Sequence, residues 1–315
     1  MKRVFAALGW LILFIAAGAA GADLAATHAV AHHPLPEKAL AMVGGLGAEA
    51  AVNLWGLALC FGRLPGARAK GRVALGLAQG LWGMAGFALT LAMGGALFVN
   101  IRVAAAFRML LLHPGAHPHL ADSLTLTGSV VSGELMAALF LARLLRRLGR
   151  AATDASPQGV AWRAAPTAAY AQAVLLALAL AGVVAGLFRL VPPDLHGLQD
   201  LPAARLFEGP PASMALMLGV VLLLGPALEE IAFRGIGFAG VAARLGPRAA
   251  TIITTLLFLA AHAPEKLHYP PGFIDVGLLA LAACYLRLRH GSIRPGILLH
   301  VLYNGLGLAA AAGLH

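Results

Sequence analysis

The chain has 315 residues, 60% hydrophobic and 11% charged, with a formal net charge of +10, an isoelectric point of about 10.6 and a mean hydropathy of +0.83. Soluble domains carry about 25% charged residues, so this composition excludes an ordinary water-facing surface and makes lipid the expected solvent. The basic balance does not indicate nucleic acid: the arginines sit in short loops beside apolar runs, and no basic patch is interleaved with aromatics.

About nine apolar segments follow in chain order: Val4–Ala20, Ala39–Phe61, Val73–Val99, Leu124–Ala142, Ala168–Leu190, Ala212–Phe233, Ala249–His262, Val276–Leu288 and Pro295–Leu314. A membrane span needs roughly 20 apolar residues, so the expected fold class is all-α, a polytopic membrane helix bundle of about 8–9 transmembrane helices. The alanines and glycines that fill these runs suit close helix packing in a bilayer. Lys2 and Arg3 ahead of the first segment, and Ala20-Gly21-Ala22 behind it, outline either a cleavable signal or a first membrane helix. The many spans that follow favour the retained helix. The segments after Ala249 are short, and short helices at membrane depth line cavities rather than face lipid. Cys60 and Cys284, isolated in apolar surroundings, read as small buried side chains, with neither zinc nor disulfide spacing.

The arginines give an orientation. Arg63, Arg68, Lys70 and Arg72 follow the second segment, and Arg143, Arg146, Arg147 and Arg150 the fourth. Arg234, Arg244 and Arg248 follow the sixth, and Arg287, Arg289 and Arg294 surround the end of the eighth. Apart from the third loop, with Arg102 and Arg108, the odd-numbered loops carry fewer. This bias puts the even-numbered loops in the cytoplasm. The polar stretch from Arg143 to Pro166 contains the turn-like Asp154-Ala155-Ser156-Pro157. It reads as a linker between amino-terminal membrane helices, 1–165, and a carboxy-terminal core, 166–315.

Ionisable residues inside membrane segments are costly and mark functional sites by default. Glu230 and Arg234, four apart with the acid first, share a helical face and can pair. Glu229 is turned by about 100° from Glu230, which leaves it free to face a cavity. His262 ends the seventh segment, and His300 and Asn304, four apart, share a face of the ninth. Glu229 lies 17 residues before Gly246 and His262 lies 15 after Pro247. A hairpin turning at Gly246-Pro247 therefore brings both to one level, roughly 22–26 Å from the turn. The next turn, at Gly291-Ser292, puts His300 about 12–14 Å along its helix, within reach of them. Glu49, Asn53 and Glu134 also fall in apolar segments and read either as a second polar site or as buried hydrogen-bonding groups.

The ordered motifs Glu-Glu-x-x-x-Arg (Glu229, Glu230, Arg234), Phe-x-x-x-His (Phe258, His262) and His-x-x-x-Asn (His300, Asn304) resemble the CPBP family. These are the CAAX prenyl endopeptidases and their bacterial relatives, historically called Abi or bacteriocin-processing proteins. The resemblance covers roughly Ala212 to Leu308 and implies an intramembrane peptidase. Glu229 and His262 resemble its water-activating pair, and His300 and Asn304 its oxyanion-stabilising pair. Glu230 and Arg234 resemble the supporting part of the first motif, and Phe258 the aromatic of the second. The implied partners are membrane lipids and a membrane-associated or lipidated peptide substrate, with no nucleic acid. The implied location is an integral one, and the alanine-rich, compact chain suggests a bacterial inner membrane.

The chemistry suits the residue types: a carboxylate in a cavity activates water, and neighbouring donors stabilise the oxyanion. One Glu and two His also make a three-ligand catalytic set for Zn2+ or another divalent metal, here Glu229, His262 and His300, so metal-free and metal-dependent versions both stay open. H-E-x-x-H and G-x-G-D are absent, and Ser213 lacks the glycine context of a rhomboid nucleophile. Two other classes remain. One is a non-enzymatic immunity or scaffold protein. The other is a small proton-coupled transporter, which predicts polar residues in both halves and inverted repeats.

Overall fold

The computed structural model describes residues 35–62, 75–112, 123–192 and 209–312; the apolar segment Val4–Ala20 and the basic loop at 63–72 lie outside them. Among the described residues every regular element is helical. Lipid offers the backbone no hydrogen-bond partner, so apolar runs pair their own N–H and C=O groups within helices. The helices are α1 (Leu35–Gly62), α2 (Leu77–Leu112), α3 (Ser123–Leu148), α4 (Arg150–Thr153), α5 (Thr167–Leu190), α6 (Pro211–Gly219), α7 (Gly225–Glu229), α8 (Phe238–Ala261), α9 (Ala263–Lys266), α10 (Gly272–His290) and α11 (Arg294–Ala312). Two π-helical stretches, Val220–Leu224 and Glu230–Gly237, join α6 to α7 and α7 to α8.

Among the described residues, five stretches are long and apolar enough to cross a membrane: Gly44–Phe61, Leu77–Ala106, Ser123–Leu148, Thr167–Leu190 and Pro211–Ala261. α10 and α11 are not among them, although each has 19 residues and so reaches about 28 Å, close to the thickness of a bilayer core. α10 carries Asp275, Arg287 and Arg289, and α11 carries His300 and Asn304.

The chain divides into two compact units. The first comprises 1–64 and 88–140. In it, α2 and α3 cross on small residues: a Cβ on Gly94 would come within 2.8 Å of the Ser132 carbonyl oxygen, and one on Gly133 within 2.5 Å of that of Leu91. Glycine lets the two backbones meet, as in other tightly packed membrane helices. Asn53 and Glu134 are buried in this unit.

The second unit comprises 65–87 and 141–315. Ala169, Ala173, Ala177 and Leu180 form one buried stripe on α5, and it packs with Leu279, Ala283, Leu286 and Leu299 of α10 and α11. The other side of α5 exposes Leu175 and Leu178, as a lipid-facing surface does. The amino-terminal end of α2 crosses α8 with Gly80 against Gly240, where a Cβ on Gly240 would lie 2.5 Å from the Gly80 Cα.

The boundary expected at 165–166 does not coincide with this division, because the polar segment after Arg143 belongs to the second unit. Asp154 does form the turn, accepting the Ser156 amide and hydroxyl at 2.9 Å each. The segment beyond it is docked rather than loose. Val160 and Ala161 are fully buried, the Ile293 amide donates to the Ala161 carbonyl at 3.1 Å, and Ser292 donates to the Arg163 carbonyl at 2.6 Å. Arg287 donates to the Gly159 carbonyl at 2.5 Å and lies 4.0 Å over the Phe238 ring. Arg234 and Arg287, counted above among the loop arginines, are thus buried cations. Their charge is used inside the fold, so the orientation rests on the others.

The two expected turns are present. Gly246 has φ 82 and ψ 168, a non-helical break ahead of Pro247. The chain reverses there: Arg234 and Phe258, 24 positions apart, would be about 36 Å apart on one continuous helix, whereas the Arg234 Cζ lies 4.0 Å from the Phe258 ring. Gly291 closes α10 with φ 59, the left-handed conformation that glycine adopts without penalty.

Candidate active site

Glu229 is the last residue of α7, and Glu230 opens the second π-helical stretch. Such stretches inside helices occur frequently at functional sites. The two side chains part as their different faces require. Glu230 is fully buried, whereas the Glu229 side chain keeps 26% of its exposure. One turn on, Arg234 places Nη1 3.2 Å from Glu230 Oε1. A buried charge is tolerated only when paired, and Glu230 and Arg234 supply each other's partner.

His300, 3% exposed on α11, reaches both glutamates. Its Nδ1 lies 3.2 Å from Glu230 Oε1, and its Nε2 lies 3.8 Å from Glu229 Oε2. A carboxylate oxygen accepts, so Nδ1 carries the proton and donates it to Glu230. The contact from Nε2 is an ion-pair distance, too long for a hydrogen bond.

Phe258 is the hub. It is fully buried, with the Arg234 guanidinium 4.0 Å above its ring. Its ring centroid lies 4.4 Å from that of His262, 5.2 Å from Phe233 and 5.9 Å from His300. His262 caps the end of α8 with φ −92 and ψ 0, the bridge conformation common at active sites. Its Nδ1 is 2.9 Å from the Phe258 carbonyl oxygen. A carbonyl can only accept, so Nδ1 donates and the neutral ring keeps its lone pair on Nε2. Asn304 donates from Nδ2 to the Val221 carbonyl at 3.1 Å, in the first π-helical stretch.

The structure therefore gathers Glu229, Glu230, Arg234, Phe258, His262 and His300 into one cluster. Asn304 is on the same helix as His300, with one of its two amide hydrogens engaged. Among the described residues, no group of three or more His, Cys, Asp or Glu is arranged to hold a metal ion. His262 Nδ1 and His300 Nδ1 face protein acceptors, which leaves both Nε2 atoms uncommitted by hydrogen bonds. A further polar pair escaped the sequence reading: Tyr303 donates to Asp275 Oδ2 at 2.8 Å. The signal was an acid one position ahead of the apolar run that starts at Val276.

Residues 211–306 match the family model described as type II CAAX prenyl endopeptidase Rce1-like, a span that holds every residue of the cluster. Comparisons with curated proteins and with solved structures return no match. The three motifs lie in order within this match, which supports the CPBP family of CAAX-type membrane proteases for the carboxy-terminal core.

Proposed function

We propose that the protein is an intramembrane endopeptidase that hydrolyses a peptide bond of a membrane-associated or lipidated protein or peptide, using water activated at Glu229 and His262. One observation carries this reading: the two adjacent glutamates have different surroundings. Glu230 is buried and occupied by Arg234 and His300, whereas Glu229 stays partly exposed with His300 beside it. One acid braces the site and the other is available for chemistry.

In the reaction, a water held by Glu229 and His262 Nε2 attacks the scissile carbonyl carbon. Glu229 takes one proton of the water as the C–O bond forms, and the carbonyl electron pair moves to its oxygen. Donors to that oxyanion are the second N–H of Asn304 Nδ2 and, when His300 carries both ring protons, its Nε2–H, with Glu230 holding Nδ1–H. As the C–N bond breaks, Glu229 returns its proton to the leaving nitrogen. Preorganised donors of this kind are worth more in a water-poor site than in water.

The membrane reading counts α1, α2, α3, α5, the arms on either side of Gly246, α10 and α11 as eight embedded segments, with Val4–Ala20 as a ninth, in a bacterial inner membrane. The substrate class follows from the setting and from the family description: a prenylated or otherwise lipid-anchored peptide reaches the site from the bilayer. Purified protein in liposomes, given farnesylated and unlipidated versions of one peptide, tests this by mass spectrometry of the released fragment. Cleavage of the farnesylated peptide supports the reading, and cleavage of neither refutes it.

A further inference from the structure

Asp275 is a buried acid that the chemistry above does not use. It lies in the first turn of α10 and is 7% exposed. An acid there is favoured by the helix dipole. Its Oδ1 accepts the Val276 amide at 2.6 Å, and its Oδ2 accepts the Tyr303 hydroxyl at 2.8 Å. The Tyr303 ring packs against the apolar cluster between α5, α10 and α11, so the hydroxyl is the polar end of an otherwise apolar contact.

Tyr303 precedes Asn304 and follows His300 by three positions on α11. Whatever fixes the rotation and depth of Tyr303 fixes those of His300 and Asn304 as well. The helix is tied toward the glutamates and the first π-helical stretch by His300 and Asn304, and toward α10 by Tyr303. Past these residues the packing loosens: a Cβ on Gly305 or Gly307 would meet nothing within 4 Å.

We infer that the Tyr303–Asp275 hydrogen bond is a latch that sets the rotation of α11, and so aims His300 at Glu229 and the free N–H of Asn304 into the site. Tyr303 and Asp275 are positioning residues for hydrolysis, and the inference rests on the peptidase reading above.

The test uses full-length protein in liposomes or micelles with Tyr303→Phe, Asp275→Asn, Asp275→Leu and the Tyr303→Phe/Asp275→Leu double variant. Three quantities are read: kcat, KM, and the ring nitrogen resonances of His300, assigned by their loss in His300→Gln. Tyr303→Phe and Asp275→Leu should lower kcat by about 10-fold to 10²-fold, the scale of a small misplacement of catalytic groups, with KM little changed, and should move the His300 resonances. Asp275→Asn still offers an oxygen to the hydroxyl and should rescue both kcat and the resonances. The double variant should be no worse than the weaker single, because the two share one interaction. Wild-type kcat in Tyr303→Phe, unmoved His300 resonances, or losses that multiply in the double variant would overturn the latch. If the wild type cleaves nothing, the peptidase reading fails, and the resonances alone decide whether Tyr303 orients His300. If Asp275→Leu does not fold, Tyr303→Phe and Asp275→Asn carry the comparison.

Discussion

Replacing Phe258 by leucine isolates what its aromatic ring does. The variant keeps an apolar side chain in the buried position but removes the surface that faces the Arg234 guanidinium at 4.0 Å and the edge-to-face contact with Phe233 at 5.2 Å. A desolvated cation–π contact is worth about 2 kcal/mol and an aromatic pair about 0.5–1.5 kcal/mol. The expected loss is therefore about 2.5–3.5 kcal/mol, or roughly 5–14 °C in Tm at 2–4 °C per kcal/mol. Phe238 is a matched control: equally buried, with the Arg287 guanidinium also at 4.0 Å, but with none of the site residues on its ring. Phe238→Leu should lose about 4–8 °C for its single cation–π contact and keep turnover close to wild type. Phe258→Leu should lose turnover as well, because the His262 ring rests on it at 4.4 Å and a small misplacement of a catalytic group costs up to about 10²-fold. The assay pairs thermal unfolding in detergent with peptide cleavage at a temperature below both midpoints. Equal turnover in the two leucine variants would refute the claim that Phe258 places the site.

Asn304→Ala removes an oxyanion donor and should lower kcat by about 10²–10³-fold, with little change in KM; full activity in steady-state assays would remove that role. If the reaction is the metal-free version, cleavage continues at the wild-type rate after exhaustive chelation. Loss that zinc restores would point to the metal-dependent version, with Glu229, His262 and His300 as the ligands. Single cysteines at Ser156 and at Gly209 should be labelled from opposite sides of the membrane in intact cells, with Ser156 on the cytoplasmic side; labelling of both from outside would reverse the orientation argument.

What was legible in the sequence was what local spacing controls. The Glu230–Arg234 pair follows from four-residue spacing, and the reversal at Gly246-Pro247 from two residues that cannot continue a helix. The gathering of three motifs followed from hairpin arithmetic and from the family resemblance together. Contacts between distant segments were harder to read. His300 was matched with Asn304 because they share a face, whereas its nearest charged partner is Glu230, 70 positions away. Asn304 spends one amide hydrogen on a carbonyl in a π-helical stretch, and nothing in the run Val220–Leu224 distinguishes that geometry from an ordinary apolar helix. Arg287 looked like a charge at a membrane edge because its acceptors are backbone carbonyls at Pro157 and Gly159, which carry no side-chain signature. Asp275 fell just outside the apolar run that was counted, so its partner Tyr303 passed as an aromatic of the bundle.

The most direct test of the account compares Glu229→Gln with Glu230→Gln, each reconstituted in liposomes with a peptide the wild type cleaves. Both remove one carboxylate and keep its shape. Glu229→Gln should unfold at the wild-type temperature and cleave nothing measurable, because its only loss is the base. Glu230→Gln leaves the buried Arg234 without its counter-charge and should lose thermal stability, the mark of a broken buried pair, while folded molecules retain some turnover. Wild-type turnover in Glu229→Gln, alongside a stable but inactive Glu230→Gln, would contradict the account and exchange the roles of the two acids.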